Sequence, residues 1–294
     1  MSIAPSPVGG LILGADALSP TEVMTHVLRL EELGYPSVWI TDVYGREIYV
    51  LASHILAQTT RISVASGIAH IYGRDAIASI QAARTLAELS GGRFIQGLGV
   101  SHPIAAQMRG LEWENPVEKM TAYLTSMRGK TPLHTPKNPP PSPIYIAAHG
   151  PKMMQVAAEL ADGANTYMQP PEHTAASRAT LGTHKVLNVV LPCCLTTDPE
   201  QARAAGRRAL HIYLPLPAYQ RQWAKFGFTE DDWAGKGSDH LVDRFIPWGT
   251  REQILSRMNE HIDAGANAIT MTALNPDPAS KETPWNLIEA FGQN

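Results

Sequence analysis

Cysteine is nearly absent: the 294-residue chain has two, adjacent at Cys193 and Cys194. Neighbours in sequence rarely bridge, and two thiols make no framework. A disulfide-stapled secreted domain is therefore excluded, and a reducing, cytoplasmic setting is expected. As chain residues the two read as small apolar side chains of a strand. Positive charge is not in excess either: 24 Lys and Arg stand against 27 Asp and Glu, net −3. Without a basic field no nucleic-acid partner is expected. No apolar run reaches the ~18 residues of a membrane span, so no membrane association is expected. The opening MSIAPSPVGGLILGA has no basic residue before its apolar stretch, which argues against a signal peptide.

The usual catalytic equipment is missing too. No lysine lies in the interior of a strand-like run, which disfavours a Schiff-base aldolase. The eleven histidines include no HExxH and no paired spacing, so no metal is expected. Carboxylates are too sparse at strand ends for a glycosidase pair. There is no Walker motif. Gly97-x-Gly99 resembles a dinucleotide turn but fails at its third glycine, where His102 stands.

What is present is alternation. Eight strand-like runs can be read: VGGLILGA, SVWITD, RISVASGI, RFIQGLGV, PIYIAAHG, GANTYM, KVLNVVLPCC and NAITMTAL. Helical segments separate them and announce their starts. Ser19-Pro20-Thr21-Glu22 is a capping box with Pro in the first turn, and Thr250 and Gln253 repeat the spacing. Asp75, Asn115 and Asp198 are further start signals, and Gly34 and the pair Gly91-Gly92 are stops. Strands alternating with helices imply a parallel sheet with helical crossovers. Eight units predict a (β/α)8 TIM barrel, 1–294 as one domain, with an open doubly wound sheet as the competitor. Two segments read as insertions. Residues 129–143 hold six prolines and predict a stiff surface loop. Residues 215–248 hold three tryptophans with little regular period, and are a candidate lid.

In a barrel, function lies at the carboxyl ends of strands. Here those ends read Asp42, SGIAH (66–70), GLGVSH (97–102), AHGPK (148–152), NTYMQPPEH (165–173), PCC and TAL. Glycine, small residues and imidazole dominate, which suits a planar organic cofactor held largely by backbone. Gly97 and Gly99 are expected to let the strand end lie flat against such a ring, with Ser101 and His102 facing cofactor or substrate. A plain strand-to-helix turn is the alternative.

The segments LEELGYPSVWITD, GIAHIYGRDAIASIQAARTLAELSGGRFIQGLGVSH, AAHGPKMMQVAAELADGANTYMQPPEHTAASRATLG and GSDHLVDRFIPWGT together resemble the bacterial luciferase-like oxidoreductase superfamily, most closely its F420-dependent branch. The resemblance spans nearly the whole chain. It implies a luciferase-like barrel, a homodimer, and coenzyme F420 in the barrel mouth, with FMN as the alternative cofactor. Asp42 matches the acidic residue near the deazaflavin ring. Gly67-Ile68 match the place of a non-proline cis peptide. Leu98, Gly99, Val100 and Ser101 match the ledge along the cofactor. His149, Gly150 and Pro151 match the phosphate site, and Lys152 can add a positive charge there. Many F420-dependent relatives have His after the Asp; here Val43 stands there, so the acid/base role falls to His102, His70 or His149. The implied activity is hydride transfer between a deazaflavin and a small-molecule substrate. An FMN-dependent monooxygenase and a non-catalytic flavin-binding barrel are the alternatives.

Overall fold

The structure, a computed structural model, describes residues 6–128 and 139–293. Eight parallel strands succeed one another in sequence order. They are β1 (Val8–Leu13), β2 (Ser37–Ile40), β3 (Ser63–Ser66), β4 (Phe94–Gly99), β5 (Ile144–Ala147), β6 (Gly163–Tyr167), β7 (Val186–Leu195) and β8 (Ala268–Leu274). A helix follows each: α1 (Pro20–Glu32), α2 (Ile48–Gln58), α3 (Ala76–Ser90), α4 (Pro116–Arg128), α5 (Pro151–Leu160), α6 (Pro171–Leu181), α7 (Pro199–Leu210) and α8 (Arg251–Asp263). The fold class is the (β/α)8 barrel. The doubly wound alternative fails because β8 is paired on both sides, to β1 and to β7.

The chain forms two compact units. One runs from Ile12 to Asn165 with 181–186 and holds β2 to β5 in parallel register. All four residues of β2 are buried, as expected of strands covered on both faces. Gln96, fully buried on β4, donates from Nε2 to the Tyr49 hydroxyl of α2 (2.9 Å) and to Ser79 Oγ of α3 (2.8 Å). The other unit holds the N-terminal residues through Leu11, 166–180 and 187 onward. There β8 runs between β1 and β7, with Val8 opposite Ile269 and Leu274 opposite Cys194.

The helix starts form as their residues direct. Ser19 with Glu22, and Thr250 with Gln253, close reciprocal capping boxes, and the Asp75 carboxylate accepts from the amides of Ile77 and Ala78. Gly34 (φ 77°) and Gly91 (φ 67°) take the left-handed stops where a side chain would be strained. Of the proline-rich segment, 129–138 lie outside the described residues. Residues 215–248 are more regular than their sequence suggests. They build short helices at Pro217–Trp223, Glu230–Trp233 and Asp239–Phe245, with a 3₁₀ turn at Ala224–Phe226. Trp223, Leu241 and Phe245 are buried with Met168 and Leu210 in one apolar cluster.

Candidate active site

The carboxyl ends of β3 and β4 are built into each other. Ser66 Oγ, fully buried, donates to the Gly97 carbonyl and accepts from the Gly97 amide, both at 2.8 Å. The next peptide, Gly67–Ile68, is cis, where the resemblance implies it. The chain then pairs again through the two-residue strand Ala69–His70, opposite Leu98 and Gly99. This interlocking gives the glycines a packing reason of their own. A Cβ on Gly97 would lie 1.9 Å from the Ser66 carbonyl oxygen, and one on Gly99 1.8 Å from Ile68 Cδ1. Their side-chain positions are filled by protein: the glycines make room for the Ser66 carbonyl and the Ile68 side chain. Leu98 is buried, and Val100 and Ser101 are half-buried. Ser101 holds the left-handed region (φ 65°), turning the chain so that His102 becomes the N-cap of a short helix, Pro103–Gln107.

Asp42, buried beyond the end of β2, binds this ledge from the side. Its Oδ2 accepts from the His70 amide (3.1 Å) and from Arg74 Nη1 (2.9 Å). Arg74 also pairs with Glu47 and lies over the Tyr49 ring. The loop between Asp42 and Glu47 is clamped at a second point. The Asp16 carboxylate accepts from the amides of Gly45 (3.2 Å) and Arg46 (3.0 Å), and Arg46 donates to the carbonyls of Ala15 and Leu18. Between the clamps Val43 and Tyr44 stand exposed, and Tyr44 takes the left-handed region (φ 57°).

Tyr44 faces a group of basic side chains. Its ring meets the His70 imidazole edge-on at 6.5 Å, and the Arg109 guanidinium lies over it at 5.7 Å. Burial pushes the His70 imidazole below its ordinary pKa; nearby Asp42 opposes this, and Arg109, His102 and Arg74 add to it. Burial likewise lowers His102. Both are therefore neutral at pH 7, each able to give or take one hydrogen bond at either nitrogen. His70 Nδ1 is buried with no hydrogen-bond partner among the described residues.

One strand further, β5 ends at Ala147 and runs through His149 to Gly150, the N-cap of α5. Gly150 has no side chain to cap the first turn, and Pro151 occupies its first position. The remaining amides of that turn, with the helix dipole, favour an anion. Lys152 is exposed and His149 half-buried. The structure thus brings Asp42, Gly67, Ile68, His70, Leu98 and Gly99 into one interlocked ledge, with Ser101 and His102 on its continuation. His149 to Lys152 form a separate group at the end of the neighbouring strand. Cavities of about 380 Å³ beside Ala76, Glu118 and Tyr123, and 300 Å³ beside Arg208, Asn275 and Asp277, include none of these residues.

Reading the sequence missed Tyr44, Arg74 and Arg109. The only signal for Arg74 was its place before the Asp75 cap; Tyr44 and Arg109 carried none. A luciferase-type cofactor needs a polar ring edge met and an anion held. The backbone ledge at the ends of β3 and β4 and the uncapped first turn of α5 fit those needs. Among the described residues no three His, Cys, Asp or Glu side chains gather as a metal site requires.

The luciferase-like monooxygenase profile matches residues 4–268. The 5,10-methylenetetrahydromethanopterin reductase of Archaeoglobus fulgidus is 26% identical, over 87% of this chain and 91% of its own. The coenzyme F420-dependent tetrahydromethanopterin reductase of Methanopyrus kandleri superposes with a TM-score of 0.74 at 18% identity, covering 99% of this chain and 98% of that one. The FMN-bound oxygenating component of 3,6-diketocamphane monooxygenase from Pseudomonas putida gives 0.72 at 14% identity, covering 97% and 96%. With the profile spanning nine-tenths of the sequence, from before the first strand into the last, the chain belongs to the luciferase-like monooxygenase family.

Proposed function

We propose that the protein is an F420-dependent oxidoreductase acting on a small organic substrate. The observation that carries this reading is the ledge at the ends of β3 and β4, with its two neutral imidazoles, in a chain similar over 87% of its length to a methylenetetrahydromethanopterin reductase. When bound, the deazaflavin supplies the hydride chemistry. The chain's own residues position and protect. The backbone at Gly67-Ile68 and from Leu98 to Ser101 forms the ledge. Asp42, tied to Arg74 and the His70 amide, fixes the ledge against the β2 loop. The first-turn amides of α5, beside His149, Gly150, Pro151 and Lys152, hold the cofactor's phosphate. Because Val43 occupies the place where relatives have histidine, His102 is the residue that moves a proton at the substrate, with His70 orienting it.

Buried, reduced Cys193 and Cys194 support a cytoplasmic location, and the family resemblance supports a homodimer. Among the described residues no helix is long and apolar enough to cross a membrane. Fluorescence titration with F420 and with FMN tests the assignment. F420 is expected to bind more tightly. Equal affinity, or FMN alone, favours the monooxygenase reading, which the likeness to an FMN-bound enzyme supports. Binding of a reducible cofactor without turnover of any substrate favours a silent flavin-binding barrel.

A further inference from the structure

We propose that Arg109, with Tyr44 and His70, forms an oxyanion-binding wall of the substrate site, so that the substrate is a planar organic acid. This deepens the reading of an oxidoreductase and rests on it. It concerns three residues from three successive strand-to-helix loops. The other arginines of these loops are occupied: Arg46 donates to two carbonyls, and Arg74 holds Asp42 and Glu47. Arg109 differs. Its guanidinium has no carboxylate or carbonyl partner among the described residues, and it rests on the face of Tyr44 at 5.7 Å.

The position is built. A Cβ on Gly73 would come within 3.3 Å of Arg109 Cζ and Nη2, so the glycine leaves the guanidinium its place. Tyr44 is presented by a loop clamped through Asp16, Arg46 and Asp42, so the surface beneath the cation is held in shape. The buried carboxylate of this ledge, Asp42, is already paired with Arg74. The group therefore joins one uncommitted cation, a flat aromatic face and, at His70, a buried ring nitrogen lacking a partner. A guanidinium offers a planar fork of donors that matches an oxyanion, and its stacking on Tyr44 keeps that fork oriented. A neutral imidazole adds a hydrogen bond without competing charge. The complementary ligand is flat and carries a carboxylate or a phosphate.

The test uses the full chain, without cofactor and with F420 bound, and three probes of one shape: benzoate, phenyl phosphate and neutral benzamide. NMR or calorimetric titration at low salt is expected to show the two acids binding and benzamide binding far more weakly. Which acid binds more tightly identifies the oxyanion. Arg109→Gln is expected to weaken the acids about ten- to hundredfold, the size of a charge-assisted hydrogen bond. Arg109→Lys restores part of the loss, and neither change alters the melting temperature or the affinity for F420. The proposal is overturned if benzamide binds as well as the acids, or if Arg109→Gln leaves acid binding unchanged. It is also overturned if Arg109→Gln lowers F420 affinity, since the cation then serves the cofactor. Acid binding through Arg109 in a protein that fails to bind F420 would remove the cofactor reading and leave this site standing.

Discussion

Around 210–248, polar atoms are satisfied and aromatic rings fill space: Trp223 is fully buried, its Nε1 donates to the Met168 carbonyl (2.8 Å), and Tyr219, Phe228 and Phe245 pack about it. At the ends of β2 to β4 the reverse holds: backbone packs on backbone at glycines, a buried ring nitrogen lacks a partner, and an arginine lacks a carboxylate. In sequence the first region reads as a candidate lid and the second as a cofactor ledge, with a plain strand-to-helix turn as its alternative. The difference teaches that aromatic content without visible period marks packing as readily as ligand contact. Unsatisfied polar chemistry on interlocked backbone is the better sign of a site.

If that contrast is right, mutations in the two regions separate stability from activity. Trp223→Ala should destabilise by about 3–5 kcal/mol, as loss of a buried aromatic does, measured by denaturant unfolding. A loss under about 1 kcal/mol would show that the cluster yields easily and favour the mobile-cover reading. His102→Gln should do the opposite. Turnover falls about 10²- to 10⁴-fold with cofactor affinity and unfolding midpoint unchanged. Unchanged turnover would make His102 a framework residue.

Gly97→Ala sharpens the comparison because it strikes the site through packing. The added methyl meets the Ser66 carbonyl, a backbone atom that yields only if β3 moves. The expected cost is about 1–3 kcal/mol together with weakened cofactor binding, read by unfolding and fluorescence titration. Loss of neither would mean that the two strand ends are not interlocked.

A further contrast is one of pH. Burial first, then Arg257 and Arg244, depress His261 from 6.5 to about 3. It sits neutral, with the Thr174 hydroxyl 2.8 Å from its Nδ1. The unfolded chain takes up this proton first. The stability His261 provides is therefore complete above pH 6.5 and is lost as pH falls from there toward 3, by at most about 1.4 kcal/mol per unit. His261→Gln should flatten that slope in unfolding curves at pH 6.5 and 4.5; an unaltered slope would place the titrating groups elsewhere.

The frame was legible because its signals are local. Each capping box lies within four residues, each strand within ten, and the alternation fixes parallel pairing. The helices between 217 and 245 were missed because four to seven residues are too few to display a period. The short strand at Ala69–His70 is set by Gly99 and Leu98 across the sheet, not by its own residues. Asp42, Gly67 and Ile68 drew notice through their strand-end positions and the resemblance, and the structure supplies the contacts that hold them. Tyr44 and Arg109 were invisible because they meet only when loops 65 residues apart converge.

The clamped loop after β2 carries a consequence for variation. With Asp16, Asp42 and Arg46 fixing the backbone on either side, Val43 and Tyr44 work as an exchangeable pair, a two-position cassette that leaves the scaffold in place. Position 43 is exposed, with room for side chains of other sizes. Position 44, in the left-handed region, favours Asn, Asp or Gly when the tyrosine is given up. Selection or a designed library can retune what the enzyme accepts here at little risk to folding.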